Sequence, residues 1–304
     1  MFVGRQKELR ILEKKYKSNR FEFIAIYGRR RVGKTTLINE FCKGKNGVSF
    51  LSTKESREIL IREFNDLMHS RLCPDLPVPS FTDFTSLFTF YDQLMDDGLI
   101  LVIDEFPYMA ESEEAISSIL QKFIDTRWKQ KNITLILCGS SMSFMEEQVL
   151  NEKAPLYGRV TAQIKLEALS VDEMKQFNWN YSDEDIVSLY AVTGGIPDYI
   201  AEVNPELSLY DNISEMFLDK SSKLFNEVDN LLKEEFKEPR IYSSILKAIS
   251  NGKVSLNEIS QYAGVAPTSV QSYISKLITL GLVSRISPLG AGEKEKNNIY
   301  VILD

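Results

Sequence analysis

Gly28, Gly33, Lys34 and Thr35 occupy the fixed positions of the pattern G-x-x-x-x-G-K-[ST] within Ile24-Ala25-Ile26-Tyr27-Gly28-Arg29-Arg30-Arg31-Val32-Gly33-Lys34-Thr35-Thr36. These residue types suit the capture of a phosphate chain. The glycines permit a tight turn whose successive N–H groups point inward, and a helix starting at the end of the pattern adds its positive end. Lys34 reaches towards the outer phosphates, and the Thr35 hydroxyl can enter the shell of a Mg²⁺ ion otherwise completed by water and phosphate oxygens. Arg31, Val32 and Thr36 lie among these positions and are nucleotide-binding candidates with them.

A second constellation is Leu99-Ile100-Leu101-Val102-Ile103-Asp104-Glu105-Phe106, an apolar run that passes directly into two acids. Such a run describes a strand buried on both faces, ending at the sheet edge where ligands of open α/β folds bind. There Asp104 can hold Mg²⁺ through its water shell, and Glu105 can take a proton from an attacking water. Alone, the acids suit an ordinary strand-to-loop turn; the phosphate pattern upstream favours the metal. Arg159, in Leu156-Tyr157-Gly158-Arg159, can stabilise charge on a transferring phosphoryl group, or can make a surface salt bridge.

These residues need a sheet to hold them. Phe21 to Tyr27, Gly47 to Thr53, Leu99 to Asp104, Ile133 to Cys138 and Gln163 to Leu166 read as strands. Gln6 to Tyr16, Thr35 to Cys42, Ser56 to Leu72 and Glu113 to Trp128 read as helices between them. Phe81, Phe84, Phe88, Tyr91 and Leu94 recur at helical spacing as a buried face, and His69, in a polar helix, reads as surface. Ser140 and Ser141 follow the fourth run, where serine also serves as the N-cap of a helix from Met142 to Gln148. Three prolines forbid a regular element over 73–79.

Glu238-Pro239 marks a boundary. Beyond it come three helices, one with its apolar face at Ile241, Ile245 and Ile249, a capped one from Ser255, and one opened by Pro267. The strand patterns 281–286 and 298–302 follow. Three helices and a hairpin make a winged helix-turn-helix. From Pro239 onward Arg240, Lys247, Lys253, Lys276, Arg285, Lys294 and Lys296 face Glu258, Glu293, Glu295 and Asp304. The third helix offers Thr268, Ser269, Gln271 and Ser272, with only Lys276 charged. Few cations would neutralise phosphate there, so a protein partner suits this domain as well as DNA does.

The net charge of −7 argues against a chain that coats nucleic acid throughout. No apolar run reaches the roughly 20 residues that span a bilayer, so no membrane partner is expected. Met1 leads straight into a polar segment, without a signal peptide. Cys42, Cys73 and Cys138 are scattered, without metal-ligand spacing, which suits a reducing cytoplasm.

Phe2-Val3-Gly4-Arg5, the phosphate pattern at 28–35, Val-Ile-Asp-Glu-Phe-Pro at 102–107, Cys-Gly-Ser-Ser at 138–141 and Leu-Tyr-Gly-Arg at 156–159 resemble the archaeal-type ATPase family. This is a branch close to the STAND and AAA+ P-loop ATPases. The resemblance implies that Phe2, Val3, Gly4 and Arg5 line an adenine pocket. It also implies that a polar residue at the tip of the strand beside the acidic one senses the γ-phosphate; Ser140 and Ser141 are the candidates. Thr193-Gly194-Gly195-Ile196-Pro197 resembles the motif of a helical lid whose proline, Pro197, faces the nucleotide. The same residues also read as a helix end and a helix start.

The expected fold is an α/β P-loop NTPase core over 1–169, a parallel sheet flanked by helices. A helical lid over 170–238 and a winged helix-turn-helix domain over 239–304 follow. The expected function is ATP binding with Mg²⁺ and slow, switch-like hydrolysis; Arg159 would meet the γ-phosphate either of its own chain or, in a homo-oligomer, of a neighbour. The alternative is a DNA-binding regulator whose nucleotide site gates binding without significant turnover. In the family that the chain resembles this point usually leads to a further C-terminal domain, so the expectation is a trimmed chain, with a shorter relative as the alternative.

Overall fold

The apolar runs form one parallel sheet, because strands buried on both faces can be covered only by crossover helices. The structure is a computed structural model describing residues 2–177, 179–288 and 298–303. Met1, Glu293, Lys294, Glu295, Lys296 and Asp304, which entered the sequence readings, lie outside the described residues. Strands β1 (Glu22–Tyr27), β2 (Gly47–Leu51), β3 (Leu99–Asp104), β4 (Ile133–Gly139) and β5 (Ala162–Lys165) take the order β2-β3-β4-β1-β5. Every neighbouring pair is parallel. Helices α1 (Gln6–Tyr16), α2 (Lys34–Cys42), α3 (Arg57–Leu72), α4 (Phe84–Asp92), α5 (Phe106–Ser112) and α6 (Ile116–Thr126) accompany the sheet. A short α7 (Met142–Phe144) continues into a π-turn over Met145–Leu150, where a longer regular helix was expected. This is a P-loop NTPase architecture.

The order has a chemical consequence. β1 feeds the phosphate loop and β3 ends in the acids, yet β4 lies between them. Tyr27 pairs with Gly139, and Ile103 with Leu137. Gly28, Asp104 and Ser140 therefore leave the sheet along one edge.

Phe23, Ala25, Leu101, Ile103, Leu135 and Leu137 share a core with Phe64, Phe84, Phe88, Tyr91, Phe123 and Trp128. The aromatic stripe of α4 is thus interior packing. Phe88 meets Phe64, Phe123 and Trp128 edge-on at centroid distances of 5.6 to 5.8 Å, a geometry the ring quadrupoles favour. His69, expected at the surface, is buried instead. The proline-rich connector folds back over α3: a His69 ring nitrogen bonds to Leu76 O at 2.8 Å, and Asn65 Nδ2 donates to Pro79 O at 2.9 Å.

Glu22 staples α1 to the start of β1. Its buried carboxylate accepts from Lys15 Nζ at 3.0 Å and Arg20 Nε at 2.9 Å. Burial alone would raise its pKa, but hydrogen bonds from Thr161, Arg20 and Lys15 outweigh it and lower the value from the ordinary 4.5 to about 2. A depressed carboxylate stabilises the fold above its unfolded pKa, and that contribution is lost as pH falls towards the folded value. Glu22→Gln should therefore cost about 1–3 kcal/mol at neutral pH. It should also flatten the loss of stability between pH 4.5 and about 2. Denaturant titrations at several pH values check both; parallel curves for variant and parent would rule this staple out.

The chain divides into two compact units, Met1–Glu167 and Ala168–Asp304. The second begins with α8 (Val171–Met174), α9 (Asp183–Thr193), α10 (Pro197–Ile200), α11 (Leu209–Ile213) and α12 (Glu227–Glu235). It continues with α13 (Pro239–Ser250), α14 (Leu256–Ala263), α15 (Pro267–Thr279) and an antiparallel pair, β6 (Val283–Ile286) and β7 (Ile299–Ile302). Leu231 and Leu232 of α12 share one core with Tyr242, Ile245, Ile259, Val270, Ile274, Val283 and Tyr300. α12 is therefore built into the last three helices and the hairpin.

Candidate functional site

The loop between β1 and α2 takes its shape from local necessity. A Cβ on Gly28 would lie 2.2 Å from Leu166 O, so only glycine admits the chain leaving β5. Leu166 N seals this approach by donating to Tyr27 O at 2.7 Å. Arg31 (φ 69°) and Gly33 (φ 89°) are left-handed, which costs a non-glycine residue about 1–2 kcal/mol. Such turns aim consecutive amides into a concave nest. Lys34 arches over this nest and donates to Gly28 O at 2.9 Å and Arg29 O at 3.0 Å. Its burial pushes the ammonium below the ordinary lysine range, a charge that lacks water and is stabilised by an anion. Val32 is buried beneath the loop, while Thr35 and Thr36 begin α2 exposed.

β4 bridges the gap to β3. Thr35 Oγ1 donates to Asp104 Oδ2 at 2.6 Å, and Glu105 N donates to Asp104 Oδ1 at 2.9 Å. Glu105 is left-handed (φ 50°), a conformation that ends β3 and starts α5 at once. Its Oε2 accepts from Ser140 Oγ at 2.9 Å and Ser140 N at 3.2 Å. Ser141 takes the N-cap position of α7 without a side-chain bond. The strand tips approach closely: a Cβ on Gly139 would lie 2.9 Å from the Pro107 ring. The buried Cys138 thiol, pushed well above its ordinary pKa first by burial and then by Asp104, stays protonated there.

Of the residues singled out in sequence, Gly28, Arg31, Val32, Gly33, Lys34, Thr35, Asp104, Glu105 and Ser140 meet at this edge. Arg5 joins them from behind the loop: its buried guanidinium donates to Val32 O at 2.9 Å and Glu167 O at 2.6 Å. Phe2 and Val3 precede it half-buried, and Gly4 is left-handed at φ 70°. Arg159 takes another course. It donates to Asp125 Oδ2 at 3.0 Å through Nε and at 2.5 Å through Nη2, and through Nη1 to Pro155 O and Tyr157 O at 3.0 Å each. Pro197 opens α10 in the second unit. Sequence reasoning missed one pair, Arg30 and Tyr108, whose Nη2–Oη distance is 2.8 Å. Separated by 78 positions, they leave no local signal.

The donor set suits Mg²⁺ bound to a polyphosphate. One exposed hydroxyl and one buried carboxylate already share a bond, and among the described residues no cluster of three metal-ligating side chains gathers. An ion there would draw its remaining ligands from phosphate and water.

A family described as ATPase domains predominantly from Archaea matches residues 2–203. An uncharacterized protein of Methanocaldococcus jannaschii is 34% identical over all 304 residues, which span 66% of that relative's length. A Walker-type ATPase of Pyrococcus abyssi shares the fold at TM-score 0.72 and 19% identity, covering 100% of this chain and 94% of that one. The ORC2 protein of Aeropyrum pernix, solved in ADPNP–ADP complexes, does so at 0.62 and 17%, covering 98% and 89%.

Proposed function

Because the chain belongs to the family of ATPase domains found predominantly in Archaea, we propose that it binds Mg²⁺–ATP at this edge, hydrolyses it slowly and uses the nucleotide state as a switch. The observation that carries the reading is the Thr35–Asp104 bond with Glu105 adjacent. It joins the phosphate-loop hydroxyl, the metal carboxylate and a base in one place. Lys34 leaves its carbonyls for the outer phosphates, while loop amides hold the inner ones. Mg²⁺, bound by Thr35 with Asp104 behind it, would withdraw charge from the β- and γ-oxygens. Glu105 takes the proton of an in-line water as the O–P bond forms. The bond to the β,γ-bridging oxygen breaks, its electron pair leaves with ADP, and the products are ADP, phosphate and a proton. Phe2, Val3 and Gly4 are proposed to meet the adenine.

The switch reading draws support from Arg5 and Ser140. Arg5 fastens the loop carbonyl of Val32 to Glu167, the last residue of the first unit, so loop movement has a route to the chain beyond. Ser140 holds the base until a γ-phosphate competes for its hydroxyl. Titration calorimetry with Mg²⁺–ATP, paired with phosphate release, tests the whole reading. One site per chain and slow turnover are expected; heat without saturation, or no release, would defeat it.

Arg159 is proposed as a cation delivered to a neighbouring chain's phosphate in a homo-oligomer, after leaving Asp125. Arg159→Ala should keep ATP affinity and lose most hydrolysis at concentrations where the protein assembles. Mixing it with Glu105→Gln should restore part of the activity, since some interfaces would pair both intact residues. Full activity in the single variant would leave Arg159 with Asp125.

A DNA-binding second unit is a separate reading, favoured by α13–α15 and the β6–β7 hairpin, which we interpret as a winged helix. Thr268, Ser269, Gln271, Ser272 and Lys276 are exposed on α15. The full chain should bind duplex DNA weakly, because each neutralised phosphate adds about 0.9 to the slope of log affinity against log salt and few cations are available. Binding isotherms at several salt concentrations check this. A steep slope with sequence selectivity would favour the DNA regulator, and no binding at low salt a protein partner.

A further inference from the structure

The second unit carries a groove of about 500 Å³ between the start of α9 and the turn that leads into α11, with Tyr181, Asp185, Pro205, Glu206, Leu209 and Tyr210 along it. Its wall is built around Asn212, which is 1% exposed. Asn212 Nδ2 donates to Tyr181 Oη at 2.6 Å and to Asn204 O at 2.8 Å, and its Oδ1 accepts from Asn204 N at 2.8 Å. Tyr181 Oη donates in turn to Leu207 O at 2.9 Å, so the fold itself holds this ring in place. Phe177 stacks on Trp179 at 4.8 Å, and Trp179 lies 6.0 Å from Tyr181, a row of three rings that ends at the groove. Tyr210 is 82% exposed, and its ring and hydroxyl have no partner among the described residues.

The groove is also acidic. Between Lys175 and Lys220 the sequence holds nine acids and no lysine or arginine. Asp183 is paired with Lys175, and Asp198 and Glu202 with Lys223. The acids of the groove lack such cations. Glu206 is exposed, and its carboxylate has no partner among the described residues. Asp185 uses Oδ2 to accept from Ser182 Oγ at 2.7 Å and keeps Oδ1. Burial first, and then the charges of Asp185 and Asp211, push the Tyr181 phenol above its ordinary pKa against the Asn212 bond, so the potential at the groove is negative.

We propose that this groove is a docking site for an extended, basic segment of a partner protein. Aromatic-lined grooves take proline-bearing chains, which are extended before they bind and lose little entropy. Proline rings and arginine or lysine stems would lie along Tyr181 and Tyr210, where a cation is also attracted by the ring faces. The head group would meet Glu206 and the remaining oxygen of Asp185. Asn180, an exposed amide on the same groove without a side-chain partner among the described residues, can bond the peptide backbone. Bases could stack on the same rings, but the surrounding acids repel phosphate, which decides against nucleic acid. The inference uses neither the nucleotide edge nor α15 and stands apart from the ATPase reading.

The test titrates labelled probes with the full chain and with Tyr210→Ala, Glu206→Gln and Glu215→Gln, read by fluorescence anisotropy at several salt concentrations. The probes are a peptide of alternating arginine and proline, its counterpart with glutamate for arginine, and single-stranded oligothymidylate. Glu215 is exposed in the same acidic stretch but does not line the groove, so its variant removes an equal charge elsewhere. Saturable binding is expected for the arginine–proline peptide alone. Tyr210→Ala should weaken it about 5- to 30-fold, the loss of one aromatic anchor, at low and high salt alike. Glu206→Gln should weaken it about two- to fivefold, an effect that fades as salt screens the pair. Glu215→Gln should bind as the parent does. Equal losses in Glu206→Gln and Glu215→Gln would overturn the inference in favour of bulk charge. Tighter binding of oligothymidylate than of the peptide would overturn it in favour of a base-stacking surface. No saturable binding of the arginine–proline peptide, or parental affinity in Tyr210→Ala, would overturn it outright.

Discussion

Lys34→Ala is expected to weaken ATP binding about 30- to 5,000-fold, the range for removing one partner of a buried, hydrogen-bonded charge pair. The burial of Lys34 carries a cost that a bound anion would relieve. The ammonium is buried, its pKa is pushed down, and its contacts are two carbonyls of the loop it serves. Phosphate oxygens would replace those neutral acceptors with anionic ones. Alanine removes the cation and its desolvation cost together, so the unliganded fold should melt within a few degrees of the parent. What should vanish is the nucleotide-dependent rise in melting temperature, which for the parent corresponds to about 2.7 kcal/mol at a hundredfold excess over Kd. Melting curves with and without Mg²⁺–ATP read both effects. Retention of the nucleotide-dependent rise would mean that the loop around Lys34 does not hold a triphosphate.

Glu105→Gln should separate binding from chemistry. Glutamine keeps the length and shape, and its carbonyl can still accept from Ser140, so the turn that starts α5 should survive. It cannot take a proton from water. A positioned general base contributes about 10²–10⁴-fold to a rate, and a loss of that size in turnover is expected, with ATP affinity unchanged. Single-turnover phosphate release with calorimetry on the same sample provides the comparison. Hydrolysis at the parental rate would pass the role of base to another group. Loss of affinity alongside rate would mean that the carboxylate acts mainly by holding Ser140 and the strand tips together.

The chemistry-bearing stretches were legible because their information is local. A glycine-lysine-threonine pattern between an apolar run and a helix start specifies its own turn. An apolar run ending in two acids specifies a buried strand and its functional end. The strands followed from the same kind of signal, since burial on both faces forces continuous apolar residues. Helix edges were read less well where a turn intervened, as at Met145–Leu150. His69 was misread for a related reason: helical periodicity describes a helix face but not a connector that later folds across it.

Tertiary structure decided which of these residues meet. Thr35 and Asp104 are 69 positions apart, and Glu105 and Ser140 35 apart, yet each pair shares a hydrogen bond. Those contacts exist because β4 inserts between β3 and β1, an order that no local pattern encodes. Arg5 could be read as part of an adenine motif, but only the fold shows its guanidinium bracing Val32 and Glu167. Arg159 reads in sequence as a phosphate-stabilising cation or a salt-bridge residue, and only the fold shows that Asp125 of α6 lies within reach of it. The Arg30–Tyr108 bond was invisible for the same reason. Residue type and spacing determine what a side chain can do and which edge of the sheet it reaches. Whether two such side chains touch depends on strand order and on placement to a fraction of an ångström, because a hydrogen bond weakens steeply outside its narrow range of distance and angle.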